Sequence, residues 1–167
     1  VIAVDTQILV YAHRRDSVWH ERARERVGEL ASSGARWAIP LHCLVEVYTN
    51  VTRPIRPDPT PPDIAIAQID RWLESPSLTV LAEDQATWPF LRDLLRAARI
   101  VGPAAYDARI AAVCIQHGVT ELWTADRDFL SYPTLRVRNP LVDIQPTRAS
   151  EARATYQVKG RRRSRRR

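Results

Sequence analysis

Two cysteines in 167 residues, Cys43 and Cys114, are too few for a disulfide framework, and both sit in apolar stretches. They read as buried free thiols in a reducing compartment, not as staples of a secreted scaffold. Glycine is equally scarce: five scattered residues provide no Gly-rich loop to cradle phosphates, which disfavours P-loop and dinucleotide-binding folds. The longest run without a formal charge, Ile110–Thr120, falls well short of the roughly 18–20 apolar residues that span a bilayer. No membrane association is expected. His13, His20, His42 and His117 share no metal-ligand spacing, so a zinc site is not expected. A nucleophile elbow of the Ser/His/Asp hydrolases is also missing. Val1–Val4 is strand-like from the first residue, with no basic segment before it, so the reading is a cytoplasmic, soluble protein without a signal peptide.

What is abundant is positive charge, but only at one end. The net charge is +6 and the pI about 10.0. Lys159 and the arginines at 161, 162, 163, 165, 166 and 167 supply 7 of the 25 basic residues. Residues 1–158 hold 18 basic against 19 acidic groups, a net of −1. The basicity therefore belongs to a tail. Beyond about Pro146 the chain has little to bury, and 146–167 is expected to be a disordered basic tail on a single domain of residues 1–145.

Apolar runs and breakers alternate along that body. Val1–Val4, Trp37–Ile39, Leu78–Leu81, Thr120–Thr124 and Leu135–Val137 read as buried strands. Thr6–Ala12 reads as a short turn or helix, and Val18–Leu30 (with Ser17 as N-cap), Leu41–Val51 after Pro40, Asp63–Glu74, Asp84–Arg99 (with a kink near Pro89) and Ala104–His117 between Pro103 and Gly118 read as helices. Five prolines within Pro54–Pro62 mark a stiff loop. Strands alternating with helices predict a three-layer α/β/α fold around a mostly parallel sheet.

Ligands in such folds bind beyond the carboxyl ends of the strands. Four acids fall at or just after that level. Asp5 ends the first strand, Glu46 interrupts the apolar helix after the second, Asp107 opens the helix behind Pro103, and Asp126 follows the fourth strand. Asp5 and Asp126 would also serve as ordinary helix caps. Glu46 and Asp107 break into apolar helices, where carboxylates are rarely buried unless paired or bound to a cation. Four converging carboxylates need a counter-charge. A hard divalent cation such as Mg²⁺ or Mn²⁺ supplies it and suits phosphodiester hydrolysis. A haloacid-dehalogenase phosphatase would want a second aspartate where Gln7 stands.

Val4-Asp5-Thr6, Glu46 in its apolar helix, Tyr106-Asp107-Ala108 and Thr124-Ala125-Asp126-Arg127-Asp128-Phe129 together resemble the PIN domain, and more narrowly the VapC toxins of bacterial toxin–antitoxin pairs. The resemblance covers roughly residues 1–145. It implies a Mg²⁺- or Mn²⁺-dependent endoribonuclease, with Asp5, Glu46, Asp107 and Asp126 as metal-binding carboxylates. Asp128 would join them or hold a bridging water, and Thr6 and Thr124 would orient carboxylates or waters. It also implies RNA as substrate, a homodimer, and inhibition by a VapB-like antitoxin whose C-terminal segment fills a groove near the site. Gln7 departs from the Asn common in the family, which shifts the contact made there. A catalytically silent PIN-like binding module and a PIN nuclease of RNA maturation are the competing readings.

Trp19, Trp72, Trp88 and Trp123 read as core or interface anchors. Arg14, Arg15, Arg53 and Arg56 lie in loops that can border the acidic site and hold RNA phosphates; solvated surface charge is the plainer alternative.

Overall fold

The computed structural model describes residues 1–142. The basic segment and the last residues assigned to the body lie outside them. Five strands form one sheet in the order β3-β2-β1-β4-β5, and every neighbouring pair is parallel. The strands are β1 (Ile2–Val4), β2 (Trp37–Pro40), β3 (Leu78–Leu81), β4 (Glu121–Trp123) and β5 (Val137–Arg138). The helices are α1 (Thr6–His13), α2 (His20–Ser32), α3 (Leu41–Val51), α4 (Pro62–Leu73), α5 (Thr87–Ala97) and α6 (Ala105–Gln116).

From β1 the chain steps outward to β2 and β3, then returns across the sheet to β4 and β5 on the other side. Parallel crossovers are right-handed, so reversing the direction of travel places α1–α4 on one face and α5 and α6 on the other. The packing agrees: α1 meets α2 and α3, and α3 meets α4, while α5 pairs with α6. Between these layers lie Ala3, Val4, Trp37, Ala38, Ile39 and Leu122, all fully buried. The reversal falls between β1 and β4, whose carboxyl ends open a crevice.

Local boundaries differ from the sequence reading for identifiable reasons. Ser17 caps no helix; its hydroxyl accepts from Trp19 N–H in a turn, and α2 begins only at His20. Asp84 likewise stands before α5, in a turn where its N–H donates to the Thr87 hydroxyl and its carboxylate accepts from Ala86 N–H. Pro89 is the third residue of α5. A first-turn N–H has no partner inside the helix, so proline there removes no bond and supplies no reason for a kink. The last strand sits slightly later than expected, at Val137–Arg138, because Leu135 is buried in the approach and Val137 pairs with Leu122. Trp72 and Trp123 are buried as expected, whereas Trp88 is exposed.

Candidate active site

The acids reach the crevice from four different elements. Asp5 follows β1 and caps α1: its Oδ1 accepts from Thr6 N–H at 2.7 Å, and its Oδ2 accepts from the Thr124 hydroxyl at 2.7 Å. The Cys43 thiol lies 3.9 Å from Oδ1. Capping and site membership are thus compatible in this residue. Asp5 is almost fully buried, and burial raises its carboxyl from 3.8 to about 6. The bonds from Thr124 and Thr6 oppose that rise; Glu46 and Asp126 add to it by repulsion.

Glu46 projects from α3, half-buried. Its Oε2 accepts from the Thr6 hydroxyl at 2.5 Å, and its Oε1 lies 3.0 Å from His42 Nε2 one turn earlier. Asp107 stands in the first turn of α6, where the helix dipole favours a negative charge. Burial nonetheless pushes its carboxyl up, and Asp126, Asp128 and Glu46 reinforce the shift.

After β4 the chain makes a polar turn. Asp126 N–H donates to the Thr124 hydroxyl at 3.0 Å, and Asp128 N–H donates to Asp126 Oδ1 at 2.9 Å. Thr124 therefore joins Asp5 to Asp126 through a single hydroxyl. Carboxylate oxygens of Asp107, Asp126 and Asp128 all lie within 4.8 Å of one another. Asp5 and Glu46 stand outside that tight trio, anchored by their hydroxyl partners; the charge of Asp126 raises the Asp5 carboxyl, and that of Glu46 raises Asp107. Oxygen ligands in a partly exposed cluster of like charges match what a hard divalent cation requires.

His42, Arg109, Glu83 and Tyr132 were not singled out by sequence. Tyr132 is buried edge-on against Phe129; burial, followed by the charge of Asp107, pushes its phenol up. The Gln7 amide oxygen is buried without a hydrogen-bond partner, so the departure at that position leaves an acceptor unmet.

The four arginines separate. Arg14 is buried: its Nε and Nη2 grip both oxygens of Asp16, at 2.7 and 2.6 Å, and Nη1 donates to the Asp58 carbonyl at 2.6 Å. A guanidinium committed in this way is not offered to a phosphate. Arg56 caps the end of α3 through the Asn50 carbonyl and side chain. Arg15 and Arg53 are exposed. A separate cleft of about 800 Å³, between the end of α1, α2 and α4, has Trp72 in its lining and Arg15, Arg24 and Arg71 beside it. It contains none of the five site acids.

The PIN domain family matches residues 2–135. This chain belongs to the PIN-domain family. The ribonuclease VapC43 of Mycobacterium tuberculosis is 32% identical over 144 residues, covering 84% of this chain and 96% of that protein. Ribonuclease VapC48 of the same species is 29% identical over 140 residues, covering 81% and 94%. Among solved structures, M. tuberculosis VapC20, a toxin that cleaves the sarcin–ricin loop, superposes with a TM-score of 0.63 at 21% identity. That match covers 83% of this chain and all of the other. VapBC2 of Rickettsia felis, solved on a DNA fragment from its promoter, gives 0.62 at 19%, covering 83% and 97%. These structures carry the same PIN fold. Among the described residues no helix is long and apolar enough to cross a membrane.

Proposed function

We propose that this PIN-domain protein is an endoribonuclease toxin of the VapC kind, hydrolysing RNA phosphodiester bonds with Mg²⁺ or Mn²⁺. The observation that carries the reading is the convergence of Asp107, Asp126 and Asp128 within 4.8 Å, beside a buried Asp5 and a braced Glu46. Relatives named as VapC ribonucleases, matched over nearly their whole length, support the chemistry.

Asp5, Glu46, Asp107 and Asp126 would hold the cation, with Asp128 joining them or holding a bridging water; Asp107, Asp126 and Asp128 form its tightest corner. When bound, the cation supplies a water of lowered pKa and a counter-charge for the phosphoryl oxygens. The chain's own residues do the rest. Thr124 fixes Asp5 and Asp126 relative to one another, and Thr6 fixes Glu46 against the start of α1. Asp128 bonds back to Asp126 and thereby shapes the turn carrying both. Of the two loop arginines free of the ties that hold Arg14 and Arg56, Arg15 lines the separate cleft, which leaves exposed Arg53 to receive RNA phosphates.

A VapB-like antitoxin would silence the toxin by laying its C-terminal segment in a groove near the acidic site. A homodimer in a cytoplasmic setting completes the reading. Purified protein freed of antitoxin should cut RNA with Mg²⁺ or Mn²⁺ and stop on addition of EDTA. Asp107→Asn and Asp126→Asn should each lose at least about 100-fold in rate while remaining folded, since residues acting as one unit fail together. A wild-type rate in either variant removes that residue from the site. Metal-loaded protein that cuts neither tRNA, rRNA nor mRNA refutes the enzyme reading.

A further inference from the structure

Each oxygen of Glu46 has a close neighbour, and the second neighbour opens a chain of side chains leading out of the site. Thr6 holds Oε2. Oε1 lies 3.0 Å from His42 Nε2, a buried atom with no aligned hydrogen-bond partner. On its other edge, His42 Nδ1 lies 3.0 Å from Arg109 Nη1. Arg109 Nε in turn donates to Glu83 Oε1 at 2.5 Å. The Tyr106 ring lies nearly parallel to the imidazole, with centroids 6.3 Å apart and planes 10° apart.

The donor inventory fixes how this chain must run. A guanidinium has five N–H donors and no acceptor, so Arg109 can only donate, and Nδ1 must present its lone pair. The imidazole proton then resides on Nε2, the atom facing Glu46. The close approach lacks full alignment, but the terminal torsion of a glutamate is broad and soft. Geometry across the fold matters as well. His42 and Glu46 ride on α3, Tyr106 and Arg109 on α6, and Glu83 follows β3. The imidazole therefore bridges helices from opposite faces of the sheet, the two that carry Glu46 and Asp107.

We propose that His42 is a positioning residue for Glu46, held with its proton on Nε2 by Arg109, which Glu83 braces from outside. This rests on the reading of the acids as a metal site. Partners that orient metal-binding groups typically affect metal affinity by roughly 10–100-fold. His42 should belong to that class without touching the cation itself.

Two measurements on the full chain test it. Calorimetric titration with Mn²⁺ should show affinity weakened roughly 10–100-fold in His42→Leu, which keeps bulk but no polar edge. It should recover most of that loss in His42→Gln, whose amide can donate to Glu46 and accept from Arg109. Arg109→Gln should weaken binding less than His42→Leu. Independently, a long-range ¹H–¹⁵N spectrum of the metal-free protein at neutral pH should show His42 as the Nε2–H tautomer. Equal affinity in wild type and His42→Leu, or equal losses in His42→Leu and His42→Gln, would overturn the positioning role. So would an Nδ1–H tautomer. Wild type that binds no Mn²⁺, or binding indifferent to Asp126→Asn, would instead bring down the metal-site reading and this proposal with it.

Discussion

A buried carboxylate needs either a proton or a cation, and Asp5 shows the choice most sharply. Folding raises its pKa from 3.8 to about 6, chiefly through burial. The folded chain therefore holds the proton more tightly than the unfolded chain. Stability from this group falls as pH rises from about 3.8 to about 6, and remains lost at neutral pH. The full rise corresponds to roughly 3 kcal/mol, an upper bound for what Asp5→Asn can recover. In EDTA, the variant and wild type should melt alike near pH 4, and the variant should melt higher at pH 7.5. Mn²⁺ should then raise the wild type and leave the variant little changed, while RNA cleavage is lost. Identical melts at both pH values would show that Asp5 carries no such penalty. Asp5, Glu46, Asp107 and Asp126 were legible as candidates because a carboxylate after a short strand, or inside an apolar helix, conflicts with its neighbours. His42 gave no such signal. Its partner Arg109 is 67 positions away, and a histidine on an apolar helix is unremarkable until α6 is folded against it. The role of Arg14 is hidden in a similar way: its partners Asp16 and Asp58 stand in the sequence, but their convergence on one buried guanidinium does not.

At the level of elements, punctuation was legible and handedness was not. Gly118 closes α6 with φ of +65°, and Val119 N–H reaches back to the Cys114 carbonyl at 2.9 Å. Glycine past the end of an apolar helix announces that geometry. α5 ends the same way, with Ile100 N–H on the Leu95 carbonyl at 3.0 Å, but its left-handed residue is Arg99, at φ of +51°. Nothing about an arginine signals that conformation, and the sequence reading continued the helix through it. Left-handed backbone costs a residue with a Cβ about 1–2 kcal/mol, offset in part by the greater freedom of unfolded glycine. Arg99→Gly should therefore stabilise the protein by roughly 0.5–1 kcal/mol, about 1–4 °C in Tm, and Gly118→Ala should destabilise it by a similar or larger amount. Denaturant melts of the two variants check the pair; a stabilised Gly118→Ala would contradict the left-handed closure. The strand assignments succeeded where apolar runs were bounded by breakers. They slipped at β5, two residues long, where partner choice rather than local composition sets the boundary.

On the scale of the whole molecule, one topological fact organises the rest. Because the chain leaves β1 in one direction and returns to β4 in the other, loops after adjacent strands diverge and leave a crevice between them. Acids separated by most of the sequence meet there. The consequence is a body near neutrality with a strongly acidic cleft, which repels a polyanion until a cation reverses the local sign. Long-range attraction for RNA must then come from elsewhere, and the seven basic residues of 159–167 are the densest source in the sequence. Deleting 159–167 should weaken RNA binding and flatten its salt dependence. Were all seven charges to meet phosphates, the slope of log affinity against log salt would change by about 5, and partial engagement would change it proportionately less. The cleavage rate at saturating RNA should hold, since every acid assigned to the site lies in the folded body. Filter binding across a salt series, paired with single-turnover cleavage, separates the two effects. An unchanged slope would mean that the basic segment does not touch RNA. A collapsed rate at saturation would mean instead that it enters the active site, contrary to the division of labour between a neutral catalytic body and a basic segment that gathers substrate.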